Sequence, residues 1–167
     1  MITLTIGFSK PRGDLALFGK AIMLYNRSKF SHCYVRFETA FEVPMISQAS
    51  KGMVNFMSIP AFEKNNHIVE EFKIEVTPEQ MTAIKMHSMH KAGLPYSVKQ
   101  IVGIVIADIF NLKTNPFDKS PDTLVCSEYL AQIAGMLGVE LDKDSSLISP
   151  KEMNKAFHKA YEGKFVL

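Results

Sequence analysis

Two short segments carry the residues best suited to chemistry: Ser31-His32-Cys33-Tyr34-Val35 early in the chain, and Val125-Cys126-Ser127-Glu128-Tyr129-Leu130 late in it. A thiolate attacks a carbonyl carbon. An imidazole beside it takes the thiol proton and later hands it to the leaving group, while a third, polar group fixes the imidazole's tautomer and angle. Cys126 stands at the start of a helix-like run, where unpaired N–H groups and the positive end of the helix dipole stabilise a thiolate. His32, Tyr34 and Arg36 alternate with Cys33, Val35 and Phe37, so the histidine faces away from the apolar side of a strand. Taken singly, each residue also has a plain structural role, because cysteine is among the most buried residue types and a strand histidine is commonly a hydrogen-bonded one. The backbone N–H of Cys126 is a candidate oxyanion donor, with the hydroxyls of Tyr34, Tyr96 and Ser31 open as a second.

The elements that must position these residues change character halfway along the chain. Ile2, Leu4, Ile6 and Phe8 alternate with polar or small residues, which predicts a first strand, and Pro11-Arg12-Gly13-Asp14 supplies turn chemistry after it. Leu15 to Phe18 reads as a short strand and Lys20 to Asn26 as a short helix. Further strands are expected over Phe41 to Ala49, Met53 to Ile59 and Ile68 to Val76. Thr77-Pro78-Glu79-Gln80 is a capping box that opens a helix over about 78–92, closed by Gly93. A second helix over about 98–111 carries Ile101, Val102, Val105, Ile106, Ile109 and Phe110 as an apolar stripe expected to be central to the core. A third is expected over about 125–137, with Asp122 and Thr123 as candidate caps, and a fourth from Ser149-Pro150-Lys151-Glu152, another capping box. The whole chain, 1–167, reads as one α+β domain, an antiparallel, partly barrel-like sheet packed against helices.

Nineteen Lys and Arg against seventeen Asp and Glu leave a net charge of +2, too small to argue for a nucleic-acid partner. The longest apolar run, Ile101 to Ala107, is far short of a transmembrane segment. Met1-Ile2-Thr3-Leu4-Thr5 lacks the features of a secretory signal, so cytoplasmic synthesis is expected. Cys33 and Cys126 then read as free thiols, with a bridge between them left open. His87 and His90 read as a solvent-facing pair and no metal or cofactor is expected. Lys151, Lys155 and Lys159 form a stripe that reads as a solvated face, with contact to a polyanionic polymer or lipid headgroups as the alternative.

The two segments and their order resemble the permuted papain-like hydrolases of the NlpC type, in the YiiX-like branch related to lecithin:retinol acyltransferase-type enzymes. Ser31-His32-Cys33-Tyr34-Val35 is similar to the family's base-carrying strand and Cys126-Ser127-Glu128-Tyr129-Leu130 to its nucleophile helix. Gly13-Asp14-Leu15-Ala16-Leu17, Gly93-Leu94-Pro95-Tyr96 and Ile148-Ser149-Pro150 are similar to supporting motifs. The resemblance implies a circularly permuted papain-like fold with the nucleophile's helix across the histidine's strand. Its candidate site is Cys126 as nucleophile, His32 as base and Gln48 as orienting residue. The family often has a glutamate where Ile46-Ser47-Gln48-Ala49 puts glutamine, which accepts the imidazole N–H without adding charge; Glu38 and Glu42 are the fallback orienters. The implied activity is cleavage of an amide bond, foremost in peptidoglycan peptides, a substrate that would require lysis, a virion or a dedicated secretion route. A lipid-active acyltransferase or lipase of the same class would need an apolar trough beside Cys126. A non-catalytic binding or structural module is the third reading.

Overall fold

The computed structural model describes residues 1–13, 17–50, 52–117 and 123–161. Five strands, β1 (Ile2–Pro11), β2 (His32–Phe37), β3 (Met45–Ser50), β4 (Met53–Ser58) and β5 (Asn66–Val76), form one antiparallel sheet in the order β4-β3-β2-β1-β5. The sheet is open, with β4 and β5 at its edges, and the barrel-like expectation is corrected accordingly. Helix α1 (Leu17–Asn26) links β1 to β2, and α2 (Ile59–Asn65) links β4 to β5. Four helices follow: α3 (Pro78–Lys91), α4 (Val98–Phe110), α5 (Cys126–Met136) and α6 (Pro150–Ala160).

Strand alternation sends two sets of side chains to opposite faces. On one face Leu4, Ile6, Phe8, Cys33, Val35 and Phe37 form the main core with residues of α3, α5 and α6. On the other, Tyr34, Ile46 and Phe62 of α2 make a smaller cluster. Tyr34 lies across from Gly7 with its ring over the glycine, where any Cβ would collide with it. The capping boxes at Thr77/Gln80 and Ser149/Glu152 are both formed, which sets the first turns of α3 and α6 where the sequence predicts them.

Several expectations are corrected. Leu17 and Phe18 begin α1 rather than continue a strand, and the rest of that segment, 15 and 16, lies outside the described residues. The strand expected from Phe41 starts only at Met45. Helix α2 falls on the last residue of the strand expected over Met53 to Ile59 and on residues 60–65, for which no element was expected. The largest difference is α4. Its buried positions are Gln100, Gly103 and Ala107, whereas Ile109 is 64% and Phe110 69% exposed. The physical reason is the contact that α4 makes. Asn115 packs against Gly103, where a Cβ would overlap it, and its Nδ2 donates to the carbonyls of Gln100 (2.9 Å) and Ser146 (3.1 Å). A small, polar seam therefore faces the protein and the apolar stripe is turned elsewhere. His87 is likewise not solvent-facing, because its ring stacks on Tyr129 at 6.3 Å between centroids. Only His90 of that pair is exposed.

Candidate active site

Helix α5 opens at Cys126, with Val125 as its N-cap. Valine has no side chain able to cap, so the first-turn N–H groups are left without the hydroxyl partners that α3, α4 and α6 receive from Thr77, Ser97 and Ser149. Thr123 is thus not the cap, and Asp122 lies outside the described residues. The approach to the helix is fixed by main-chain bonds. Leu124 N–H donates to Pro95 C=O (3.0 Å), Ser97 N–H donates to Leu124 C=O (3.3 Å), and Tyr96 N–H donates to Gly52 C=O (2.9 Å). These bonds tie Tyr96 and Cys126 to the end of the β3–β4 hairpin.

Strand β3 positions both partners of the site through consecutive residues. Ser47 faces α5, where its hydroxyl is 2.7 Å from Tyr129 Oη, which in turn donates to Ser88 Oγ of α3 at 2.6 Å. Gln48 faces the other way, on the side shared by His32 and Tyr34, and is only 2% exposed. Its Oε1 lies 2.6 Å from His32 Nε2. An amide oxygen only accepts, so Nε2 carries the hydrogen and Nδ1 is left as the proton acceptor of the neutral ring. The Gln48 amide is itself oriented, because its Nε2 donates to Asn55 Oδ1 (3.4 Å) and Met57 Sδ (3.3 Å). Phe62 packs against the imidazole at 6.2 Å between centroids.

Cys126 is 4% exposed and meets both Cys33 and His32. Hydrogen bonding from the Cys33 thiol, and then from His32 together with the imidazolium's charge, holds the Cys126 thiol well below the ordinary thiol range against the opposing effect of burial. Burial foremost, with Cys126 beside it, pushes the Cys33 thiol up. The two cysteines are free thiols, and their environments separate them: one is poised as a thiolate and its neighbour stays protonated as a donor. Tyr96 hydrogen-bonds Cys126 as well, and burial followed by the nearby thiols keeps its hydroxyl protonated.

The structure thus brings His32, Gln48 and Cys126 together and places the hydroxyls of Tyr34, Tyr96 and Ser31 differently around them. The Tyr34 hydroxyl is already committed, donating to Glu71 at 2.7 Å. Tyr96 stands at the sulfur, and Ser31 lines the cavity that Cys126 opens into. Glu38 is engaged by Arg36 (2.7 Å) and is not an orienter of His32. Among the described residues nothing ties Glu42 to the imidazole, whose Nε2 is held by Gln48. The thiol donor Cys33 was hidden in the sequence, where alternation marks it only as a core residue.

Cys126 borders a cavity of about 240 Å³ between α1 and α4. Its wall is largely Ala21, Ile22, Ile101, Val102, Ile104 and Val105, with Ser31 and with Tyr96, which meets the sulfur, also in the lining. Of the apolar stripe of α4, Ile101, Val102 and Val105 line this cavity, while Ile109 and Phe110 are exposed and lie outside its lining.

No protein-family model matches the chain, and no curated protein sequence matches it. Among solved structures it is similar to the crystal structure of metalloprotein yiiX from Escherichia coli O157:H7 (DUF1105), with 19% sequence identity, a TM-score of 0.56, and coverage of 98% of this chain and 84% of that one. The likeness is one of fold: this chain has a YiiX-like fold. Among the described residues, no group of three or more His, Cys, Asp or Glu is arranged to hold a metal ion, and no helix is long and apolar enough to cross a membrane.

Proposed function

We propose that the chain is a cysteine hydrolase or acyltransferase in which Cys126 is the nucleophile, His32 the base and then acid, and Gln48 the positioning residue. The observation that carries this reading is the Cys126 thiol, held low at an uncapped helix start beside an imidazole whose Nε2 is anchored 2.6 Å from Gln48. The Cys126 sulfur adds to the substrate carbonyl and the C=O π pair moves to oxygen. The main-chain N–H of Cys126 and the Tyr96 hydroxyl face that developing charge. Collapse expels the leaving alcohol, thiol or amine, which takes its proton from the His32 imidazolium, and leaves an acyl thioester on Cys126. Water, or an acceptor nucleophile, then gives up a proton to His32 and attacks the thioester, releasing the acyl product and restoring the thiol.

The cavity favours an acyl substrate. A peptidoglycan peptide presents charged and hydrogen-bonding groups, and the wall beside Cys126 offers mainly aliphatic side chains. An acyl ester or thioester with an apolar arm buries that wall instead. Purified protein assayed side by side on octanoyl esters, octanoyl thioesters and peptidoglycan fragments tests the reading. Turnover of an octanoyl substrate that Cys126→Ala abolishes is the expected result. Cleavage of wall fragments alone would assign the peptide amide, and turnover unaffected by Cys126→Ala or His32→Ala would overturn the mechanism.

A further inference from the structure

A second cavity, of about 510 Å³, adjoins the apolar one, and the two share Tyr25, Asn26, Ile104 and Ser149 in their walls. Three carboxylates line it and each is already engaged. Asp108 accepts from the Tyr25 hydroxyl at 2.8 Å, and Asp144 accepts from the Ser146 N–H at 2.9 Å. Glu152 pairs with Lys143 at 2.5 Å and accepts from the Ser149 N–H at 2.9 Å. Lys151 donates to the Asn26 carbonyl at 2.8 Å. Three further cations line the same cavity: Arg27 after α1, Lys113 after α4 and Lys155 on α6. None of the three has an ion pair or a side-chain hydrogen bond among the described residues. Lys143 also reaches Asp108 at 3.9 Å, and the lining as a whole sets Arg27, Lys113, Lys143, Lys151 and Lys155 against Asp108, Asp144 and Glu152, an excess of cations in a concave wall that concentrates positive potential.

We infer that this cavity is a subsite for a phosphate group carried by the substrate of Cys126, joined to the reacting carbonyl by an arm that lies along the apolar cavity. The inference rests on the acyl-transfer reading above and names the polar end of its substrate. Phosphate fits because it presents several oxygens to cations arriving from three separate segments, and because the guanidinium fork of Arg27 matches it in bidentate fashion. A phosphopantetheine-type thioester and a glycerophospholipid ester share this chemistry.

Binding is measured first on Cys126→Ala, which cannot turn over, by calorimetric titration with octyl phosphate and with octanol. Octyl phosphate should bind at least tenfold more tightly, with the advantage falling as salt rises and lost in the triple variant R27A/K113A/K155A; each lost charge-assisted contact is worth roughly tenfold. All three positions are exposed, so the variant should fold. Equal affinity for the two probes, or a preference that survives the triple variant, overturns the proposal. Two substrate pairs identify the source: octanoyl phosphopantetheine against octanoyl pantetheine, and phosphatidylglycerol vesicles against neutral diacylglycerol emulsions. The pair whose KM is lowered by phosphate is the source, and turnover with no phosphate preference in either pair overturns the subsite while leaving the Cys126 chemistry intact. Phosphate-dependent binding without turnover of any acyl substrate would do the reverse, sinking the acyl-transfer reading and leaving the subsite.

Discussion

Replacing Gln48 by alanine isolates the one contact that orients the imidazole. The bond at 2.6 Å is neutral to neutral when the ring is neutral, worth about 0.5–1.5 kcal/mol, and involves a cation once the ring is protonated, worth about 1.5–3 kcal/mol. Its loss therefore disfavours the thiolate–imidazolium form by about 1–1.5 kcal/mol, which should move the pH midpoint of Cys126 alkylation up by roughly 0.7–1.1 units. Turnover loses the full charged bond plus the fixed ring angle, so kcat/KM should fall roughly 10- to 150-fold. The assay is iodoacetamide labelling of Cys126 followed by mass spectrometry across pH, with acyl-ester hydrolysis and a thermal melt on the same sample. Gln48→Glu keeps an acceptor at that place and adds a charge that favours imidazolium, so it should hold the midpoint at or below that of the unmodified chain. A folded Gln48→Ala protein whose midpoint and kcat/KM both stay within twofold of the parent would refute the reasoning.

The other expectations are shorter. In the parent protein Cys126 should alkylate with a midpoint well below the ordinary thiol value of 9.0, while Cys33 stays unlabelled until unfolding; equal labelling of the two would contradict their assigned environments. Cys33→Ala removes the foremost support of the Cys126 thiolate and should shift that midpoint upward, with Cys33→Ser, which retains a hydroxyl donor, shifting it less. Tyr129→Phe leaves the hydroxyls of Ser47 and Ser88 short of a buried partner and should cost about 1–3 kcal/mol, a Tm lower by roughly 2–12 °C in a melt. Ile109→Ser and Phe110→Ser should change stability by less than about 0.5 kcal/mol, because both side chains are exposed, and a large loss of Tm would restore α4 to the core. Val105→Trp should fill the apolar cavity and slow octanoyl esters far more than acetyl esters, an effect read as the ratio of their kcat/KM values.

What the sequence made legible is what local chemistry encodes. Thr77 and Ser149 announce α3 and α6 because a cap is a contract between residues three apart, and the alternation in β1 and β2 reports a face that is buried along its whole length. The pairing of His32 with Gln48 was implied by the family resemblance alone, since alternation within each strand does not fix the register that puts the two on one face. Helix α4 was misread because hydrophobic periodicity records that a stripe is apolar and not what it packs against; Asn115, beyond the helix, decides which side of α4 faces in. Helix α2 carried its signal in Ser58 and Pro60, a cap position and a proline in the first turn, overshadowed by the β-rich residues around it. The roles of Cys33 and Tyr96 depend on contacts across the fold, which no local pattern contains.

Glutamine opposite His32 also has a consequence for how the site feels its surroundings. With a carboxylate in that place, the trio of thiol, imidazole and acid would carry a net charge of minus one in either proton arrangement, a monopole pressed against an aliphatic wall. With Gln48 the sum is zero whether the proton sits on sulfur or on nitrogen, so proton transfer only reorients a dipole. A dipole's field dies away faster with distance than a monopole's. The nucleophile can thus be armed beneath an oily cavity without drawing water or counterions into it, and its readiness should depend little on ionic strength.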